Sequence, residues 1–432
     1  MNPNEVQADL NRRSFLKGSS LASLMMMLGG VEITAQDAAT KPATSVKPAK
    51  KIGPPVKFGV IGMGAWGRDM LSHLSRLPNA PITGVAETYG ASLRRAKSAA
   101  PNAAQFEDYK KLLESKDVEA VIVATPSHQH KDIVLAALQA GKHVYCEAPL
   151  AHTIDDARAI AKAAKMATNQ IFQAGLQYRA NPQHHHVVDF VRTGAAGALT
   201  VARAQYHKKE SWRRTSPSPE RETELNWRLR PETSPGLAGE IGIHSMDVAS
   251  WFMRANPVAV TGFGSVLHWK DGRKVADTAQ VVLEYPGGAR MIYDATLTNS
   301  FEGNYDVFSG TDAAIMIREN RAWMFKEADS PLLGWEVYAK KDTFPATGEA
   351  GIALVANATQ LIAQGLKPAE AAADGDSPAY YSLEAFIECI NEKKQPQAGW
   401  KEGFEATVVA LKANEAVATN SKITFDPKWF EV

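Results

Sequence analysis

Cysteine is almost missing from this chain, whose 432 residues hold only Cys146 and Cys389. Two thiols cannot build a disulfide framework, so a small stapled scaffold is excluded and the fold must rest on buried apolar area. Cys146 ends an apolar strand-like run and Cys389 lies in a late helical pattern, which makes both small buried side chains. An excess of one charge is missing too. Forty-eight basic against forty-seven acidic residues leave a net charge of +1, so nothing pulls the chain toward nucleic acid or an anionic membrane. Beyond the N-terminal segment no apolar run is long enough to span a bilayer. No Walker loop, nucleophile elbow or zinc spacing occurs. His184-His185-His186 looks like a metal site by composition, but consecutive residues of a helix point different ways, so no metal is expected. What is present, 45% hydrophobic and 22% charged residues, describes a soluble globular protein. Its length calls for two or more domains.

The stretch that organises the rest is Phe58-Gly-Val-Ile-Gly62-Met63-Gly64-Ala65-Trp66-Gly67. An apolar run leads into a glycine-rich turn, and a helical pattern follows from Ala65 to about Leu77. Strand, turn and helix in that order are the context a dinucleotide fingerprint requires. Gly62 makes the tight turn, Gly64 lets a pyrophosphate approach the backbone, and Gly67 lets the helix pack closely on its strand. Met63, Ala65 and Trp66 complete the phosphate-facing loop. Glu87 closes the next apolar run, where a carboxylate takes the adenosine ribose hydroxyls. It favours NAD, while nearby Arg94 and Arg95 leave NADP open.

Residues 1–35 read as an export signal rather than fold. Asn11-Arg12-Arg13-Ser14-Phe15-Leu16-Lys17 is a twin-arginine pattern, followed by a short apolar stretch and small residues near Ala35. Residues 36–55, rich in Ala, Lys and Pro, read as a disordered linker. The expected location is therefore the periplasm or another exported site, with no membrane attachment once the signal is removed. A dinucleotide carried out with the protein could not exchange with the cytoplasmic pool, so tight binding is expected.

Residues 56–178 alternate strand and helix signals, with strands at 56–61, 82–86, 120–124, 143–146 and 171–174 and helices at 65–77, 91–100, 128–140 and 154–168. That alternation predicts a Rossmann-type, doubly wound parallel sheet with ligands at the carboxyl ends of its strands. Thr125-Pro126-Ser127-His128-Gln129-His130 leaves one strand end and Glu147-Ala148-Pro149 the next, so both loops should face the nicotinamide end. Residues 179–432 form a second α/β domain with a large, mostly antiparallel sheet. A helix runs from Pro182 to about Arg192, strands lie at 199–206, 258–267, 279–285, 290–297, 305–308 and 313–317, and Gly287-Gly288 suits a hairpin. Helical spacing returns at 349–365, 382–392 and 402–418, in segments expected to fold back over the junction.

The text Asp117-Val-Glu-Ala-Val-Ile-Val-Ala-Thr125-Pro126, then His130, then Gly141-Lys-His-Val-Tyr-Cys-Glu147-Ala-Pro-Leu150 resembles the Gfo/Idh/MocA oxidoreductase family. The resemblance covers roughly 56–432. It implies a sugar- or sugar-derivative-active NAD(P)-dependent oxidoreductase, and the export signal is similar to that of glucose–fructose oxidoreductase-type members with tightly held cofactor. Family members have Glu-Lys-Pro where this chain has Glu147-Ala148-Pro149. The absent lysine removes acid–base help worth roughly 10² to 10⁴ in rate, about 3 to 5 kcal/mol of barrier. NAD-dependent glycoside hydrolases of the α-N-acetylgalactosaminidase type are similar in fold and also lack it. They oxidise a sugar transiently, eliminate, add water and return the hydride, and such redox-neutral cleavage is the main rival. A non-catalytic sugar-binding protein is the second.

The resemblance also implies a pocket helix carrying an acid and a histidine, matched by Glu240 and His244, with Asp247 three residues on. Four apart on a helix, Glu240 and His244 would share a face, and a histidine beside carboxylates suits proton removal as hydride leaves. Arg179 matches a family arginine at the junction, Trp227-Arg228 a segment reaching toward the cofactor, and Tyr178 is a candidate acid or base in place of the lysine. Lys208 and Lys209 are the nearest lysines. Self-association through the second sheet is implied by the resemblance alone.

Overall fold

The computed structural model describes residues 52–332, 341–343, 348, 350–356 and 375–432. The twin-arginine stretch lies outside them, as do most of the linker and residues 357–365 of the expected third-from-last helix. The described residues fall into two compact units, one of 52–184, 199–308 and 376–432, the other of 185–198 and the described parts of 309–375.

The larger unit opens with a parallel six-stranded sheet in the order β3-β2-β1-β4-β5-β6. Its strands are β1 (Phe58–Ile61), β2 (Ile82–Ala86), β3 (Ala104–Phe106), β4 (Ala120–Val123), β5 (His143–Cys146) and β6 (Phe172–Ala174). The order reverses direction between β1 and β4, which places a ligand crevice at the carboxyl ends of those two strands. Ala120-Val-Ile-Val is buried on both faces, as a central parallel strand must be. The helices are α1 (Ala65–Ser75), α2 (Gly90–Ala99), α3 (Tyr109–Glu114), α4 (His130–Gln139) and α5 (Ile154–Met166). Thr153 caps α5 by accepting the Asp156 N–H, and Asp155 and Asp156 meet its positive end. Neither β3 nor α3 carries a readable signal in the sequence. Three partly exposed residues at a sheet edge and a six-residue helix carry too little periodicity to be read.

Helix α6 (Pro182–Arg192) begins in this unit and has most of its residues in the smaller one; the larger unit resumes with β7 (Leu199–His207), α7 (Pro219–Leu225), α8 (Gly236–Glu240) and α9 (Gly242–Met253). The second sheet of this unit orders β11 (Asn304–Gly310), β7, β10 (Arg290–Thr296), β9 (Thr278–Glu284), β8 (Ala259–Ser265) and β16 (Ile423–Thr424) side by side. β7 and β10 pair parallel and the β10-β9-β8-β16 run is antiparallel. Gly287 and Gly288 both take positive φ in the β9–β10 turn, which only glycine does without strain.

Two late helices close the unit, α10 (Pro378–Glu392) and α11 (Trp400–Thr419). α10 packs on the parallel sheet. Phe386 meets Phe58 and Tyr145 at ring distances of 6.1 and 5.8 Å, and the Tyr145 hydroxyl reaches Ser382 Oγ at 3.0 Å. α11 touches both sheets of the unit. Thr407 Oγ1 accepts the Leu150 N–H at 3.0 Å, and Val417 leaves no room for a Cβ on Gly262 or Gly264 of β8.

In the smaller unit β14 (Lys341–Thr343), β15 (Ala350–Leu354), β13 (Arg321–Lys326) and β12 (Ala313–Arg318) pair antiparallel in that order. β15 corrects the helix expected over 349–365, at least where that range is described. Gly351 lies flat against the Phe325 ring, where a Cβ would come within 2.9 Å, so close strand packing overrides a weak helical pattern.

Candidate functional site

The glycine turn after β1 divides its labour among three residues. Gly62 has φ +95, and a Cβ there would meet the Ala124 carbonyl oxygen at 2.8 Å. A Cβ on Gly67 would stand 1.9 Å from the Gly62 oxygen, so the first turn of α1 rests directly on the loop. A Cβ on Gly64 would meet nothing within 4 Å. That open face lies at the N-terminus of α1, which has no side-chain cap and no acidic residue in its first turn. The unmet N–H groups there suit a diphosphate. Glu87 is fixed by the Met63 N–H on Oε2 and the Tyr89 N–H on Oε1, both at 2.9 Å. Oε1 also accepts the Thr88 hydroxyl at 3.3 Å, so Oε2 is the oxygen that keeps lone-pair capacity for a ribose hydroxyl. The donor set therefore fits a dinucleotide, with Gly64, Ala65 and Trp66 at the diphosphate and Glu87 at the adenosine ribose.

At the next two strand ends the predicted residues separate into different tasks. Ser127 donates to Glu240 Oε1 at 2.8 Å. His130 is buried with one ring nitrogen 2.9 Å from the Thr125 carbonyl and the other 3.1 Å from that of Pro149. Burial pulls its pKa down to about 4. The neutral ring carries one N–H and donates it to one of these carbonyls; the residue is buried and neither nitrogen is open to a ligand, contrary to its expected cofactor contact. Glu147 is buried between Trp66, whose side chain donates to it, and Gly175, where a Cβ would come within 2.6 Å of Oε2. Burial pushes its carboxyl up to about 8, and Oε1 has no partner. Thr125 Oγ1 is likewise sealed without a partner.

The raised Glu147 carboxyl has a measurable consequence. The fold holds a proton there that the unfolded chain releases near its ordinary value of 4.5, so stability falls as pH rises from about 4.5 to about 8. Glu147→Gln removes that dependence. In thermal unfolding without added nucleotide, the variant's midpoint relative to wild type climbs between pH 5 and pH 8; a constant difference would refute a proton held by Glu147.

On the second-sheet side, the expected sharing of one helix face by Glu240 and His244 fails. The helix breaks at Ile241, so α8 ends on Glu240 and α9 begins at Gly242. Glu240 faces Ser127, Ser234 Oγ at 3.4 Å and Arg228 Nε at 3.6 Å. Arg228 in turn lies over the rings of Trp212 and Trp227, at 5.6 and 5.1 Å. Asp247 is spent on Arg179, which grips both carboxylate oxygens at 2.8 to 3.0 Å in a buried pair. Burial raises the Asp247 carboxyl and the Arg179 charge opposes it.

Among the described residues no carboxylate therefore orients His244, contrary to the expectation from spacing. Burial alone draws its pKa down to about 4. Its Nδ1 is sealed without a partner among the described residues, so Nε2 is the candidate proton acceptor of the ring. The Tyr178 ring stands edge-on to it at 6.1 Å and stacks on His184 at 4.5 Å. Burial raises the Tyr178 hydroxyl well above its ordinary value. Lys208 is exposed and pairs with Glu210, so it does not fill the place left at Ala148.

Sequence reasoning missed a polar floor beneath α9. Asp306 is buried, held at about 6 by burial against a Ser245 hydrogen bond, and Tyr206 is pushed up to about 12. Alternation along β7, β10 and β11 places such residues but does not say which of two faces α9 covers. Among the described residues no cluster of His, Cys, Asp or Glu could hold a metal ion, and no helix is long and apolar enough to cross a membrane.

Residues 56–176 match the family model described as oxidoreductase family, NAD-binding Rossmann fold, and residues 184–316 match the Gfo/Idh/MocA C-terminal domain. Among curated relatives, an inositol 2-dehydrogenase of Rubrobacter xylanophilus is 30% identical over 241 residues, 54% of this chain and 62% of that protein. A levoglucosan dehydrogenase of Pseudarthrobacter phenanthrenivorans is 28% identical over 238 residues, 50% of this chain and 59% of its own. The matches thus span less than two thirds of those relatives. Among solved structures, levoglucosan dehydrogenase in complex with NADH and L-sorbose covers 86% of this chain and 99% of its own, with a TM-score of 0.69 at 20% identity. Aldose-aldose oxidoreductase from Caulobacter crescentus covers 86% of this chain and 100% of its own, with a TM-score of 0.66 at 19% identity. At those identities the likeness establishes the fold.

Proposed function

The chain belongs to the Gfo/Idh/MocA oxidoreductase family, and from that premise we propose that it oxidises a ring hydroxyl of a sugar or polyol by hydride transfer to a tightly bound NAD. The observation that carries this reading is the 2.8 Å bond from Ser127 to Glu240. It ties the loop at the end of β4, beside the glycine turn, to the helix pair that carries His244.

Bound dinucleotide would supply the hydride acceptor; the protein's residues supply placement and proton transfer. Gly64 and the start of α1 receive the diphosphate, Glu87 the ribose diol. His244 is neutral at physiological pH, because its folded pKa is about 4, and Nε2 takes the hydroxyl proton as the carbon–hydrogen bond breaks. Glu240 and Asp247 are positioning residues, the first through Ser127 and Arg228, the second through Arg179. Tyr178 stands edge-on to the imidazole and is the candidate to replace the missing lysine. Glu87 supports NAD over NADP, since a carboxylate already bonded to two N–H groups repels a 2′-phosphate. Net oxidation is preferred over redox-neutral glycoside cleavage because the named relatives are dehydrogenases. Export by the twin-arginine route belongs to the same proposal.

The test is a panel of cyclic polyols and anhydrosugars, scyllo-inositol, myo-inositol and levoglucosan among them, with NAD⁺ and absorbance read at 340 nm. Growth of reduced nicotinamide with at least one of them supports the reading. Release of aglycone from a glycoside without reduced nicotinamide would replace it with hydrolysis.

A further inference from the structure

Between β7 and α8, residues 208–235 take part in neither sheet. Their base is braced. Buried Asn226 exchanges two hydrogen bonds with the backbone of Arg214, at 2.7 and 3.0 Å. Ser211 donates to Asp271, which is itself held by buried Arg273, and Arg213 Nη1 donates to the Asp271 carbonyl at 3.0 Å. Thr233 Oγ1 donates to the Trp227 carbonyl at 2.7 Å.

From that base the segment reaches the dinucleotide half at two separated places. Trp227 lies 6.1 Å from His128 in the loop after β4, next to the Arg228–Glu240–Ser127 contacts. At the other place, the Arg221 guanidinium sits 4.0 Å from the centroid of the Tyr89 ring. Tyr89 is two residues beyond Glu87 and donates its N–H to that carboxylate. Arg221 gives Nη1 to Glu224 at 3.1 Å, while Nε is sealed from solvent without a partner. A sealed, unmet N–H costs free energy that the surface pairing does not return.

We propose that residues 208–235 strap the carboxyl edge of the dinucleotide-binding half, with Arg221 as the latch at the adenosine end, stacked on Tyr89 beside Glu87. The inference rests on the dinucleotide reading above and names the residue that makes the cofactor captive. A planar guanidinium can lie on the tyrosine ring and against an adenine face at once, which an ammonium cannot. Release of the dinucleotide then requires the Arg221–Tyr89 contact to open, although the hydride-transfer end is elsewhere.

The test compares the full chain with Arg221→Ala and Arg221→Lys, measuring dissociation of NADH, ADP-ribose and reduced nicotinamide mononucleotide by displacement in stopped flow. Arg221→Ala should release NADH and ADP-ribose about 5- to 30-fold faster, and Arg221→Lys should recover little of that. The mononucleotide lacks the adenosine and should leave both variants at the wild-type rate. Unchanged NADH release, or equal acceleration for all three ligands, would overturn the latch. If the alanine variant does not fold, the lysine variant carries the comparison. Wild type that binds none of the three would instead defeat the functional reading itself, so the two failures are distinguishable.

Discussion

On the proposed function, alanine at His244 should lower kcat for hydroxyl oxidation by about 10²- to 10⁴-fold, the range by which a positioned general base accelerates proton transfer. NADH binding stays close to wild type, because the imidazole lies on α9 and touches none of the groups around Gly64 or Glu87. The pH profile gives the finer test. A base must be neutral to accept a proton, so activity falls only where His244 becomes protonated. With its pKa drawn down to about 4 by burial, the acid limb of kcat/KM should lie near pH 4 and not near 6.5. The same depression stabilises the fold at neutral pH relative to acid. Folded His244 refuses the proton that the unfolded chain accepts below about 6.5, and stability is lost as pH falls from about 6.5 toward 4. An acid limb that stays near 6.5, or a His244→Ala variant with full kcat, would move the proton acceptor elsewhere.

The second large effect separates two glycines of one motif. Gly64→Val projects a side chain into open space at the start of α1. Its φ of −62 admits any residue, so the thermal midpoint should stay at the wild-type value. Dinucleotide affinity should fall by about 10²-fold or more, close to 3 kcal/mol of binding, because the new side chain occupies the diphosphate's place. Gly67→Ala behaves oppositely. Its Cβ would lie 1.9 Å from a backbone oxygen that cannot rotate away, so α1 must leave its seat on β1. Overpacking of that kind costs about 1 to 3 kcal/mol or more, and the thermal midpoint drops before any ligand is added. Differential scanning fluorimetry with and without NADH reads both. Equal behaviour of the two variants would mean that the turn only packs.

Much of the dinucleotide half was legible in the sequence because each signal there is local. Gly62, Gly64 and Gly67 sit within six residues, and Glu87 ends the very next apolar run. β-branched, fully apolar Val121-Ile122-Val123 reads as a central strand whatever surrounds it. The pocket side was less legible, since its chemistry depends on which partner a side chain meets across the fold. His130 has the family's place in the sequence, yet backbone carbonyls flank both ring nitrogens and bury them. Glu240 and His244 carry helical spacing, but the chain turns at Ile241, and the glycines at 239 and 242 were the available hint. Arg221 and Tyr89 meet only because residues 208–235 leave the second sheet altogether, and no periodicity reports that. Asp306 hides in an ordinary alternating strand.

The central claim is that a dinucleotide binds against the turn from Gly62 to Gly67, and tryptophan emission tests it most directly. Trp66 is the second residue of α1, inside that turn, and Trp227 faces the neighbouring loop, so bound NADH should accept their excitation. Titration of the full chain with NADH should give a saturable loss of tryptophan emission with a matching rise in nicotinamide fluorescence, and Gly64→Val should abolish both while remaining folded. Emission that NADH and NADPH leave unchanged, together with no heat on calorimetric titration by either, would contradict the account.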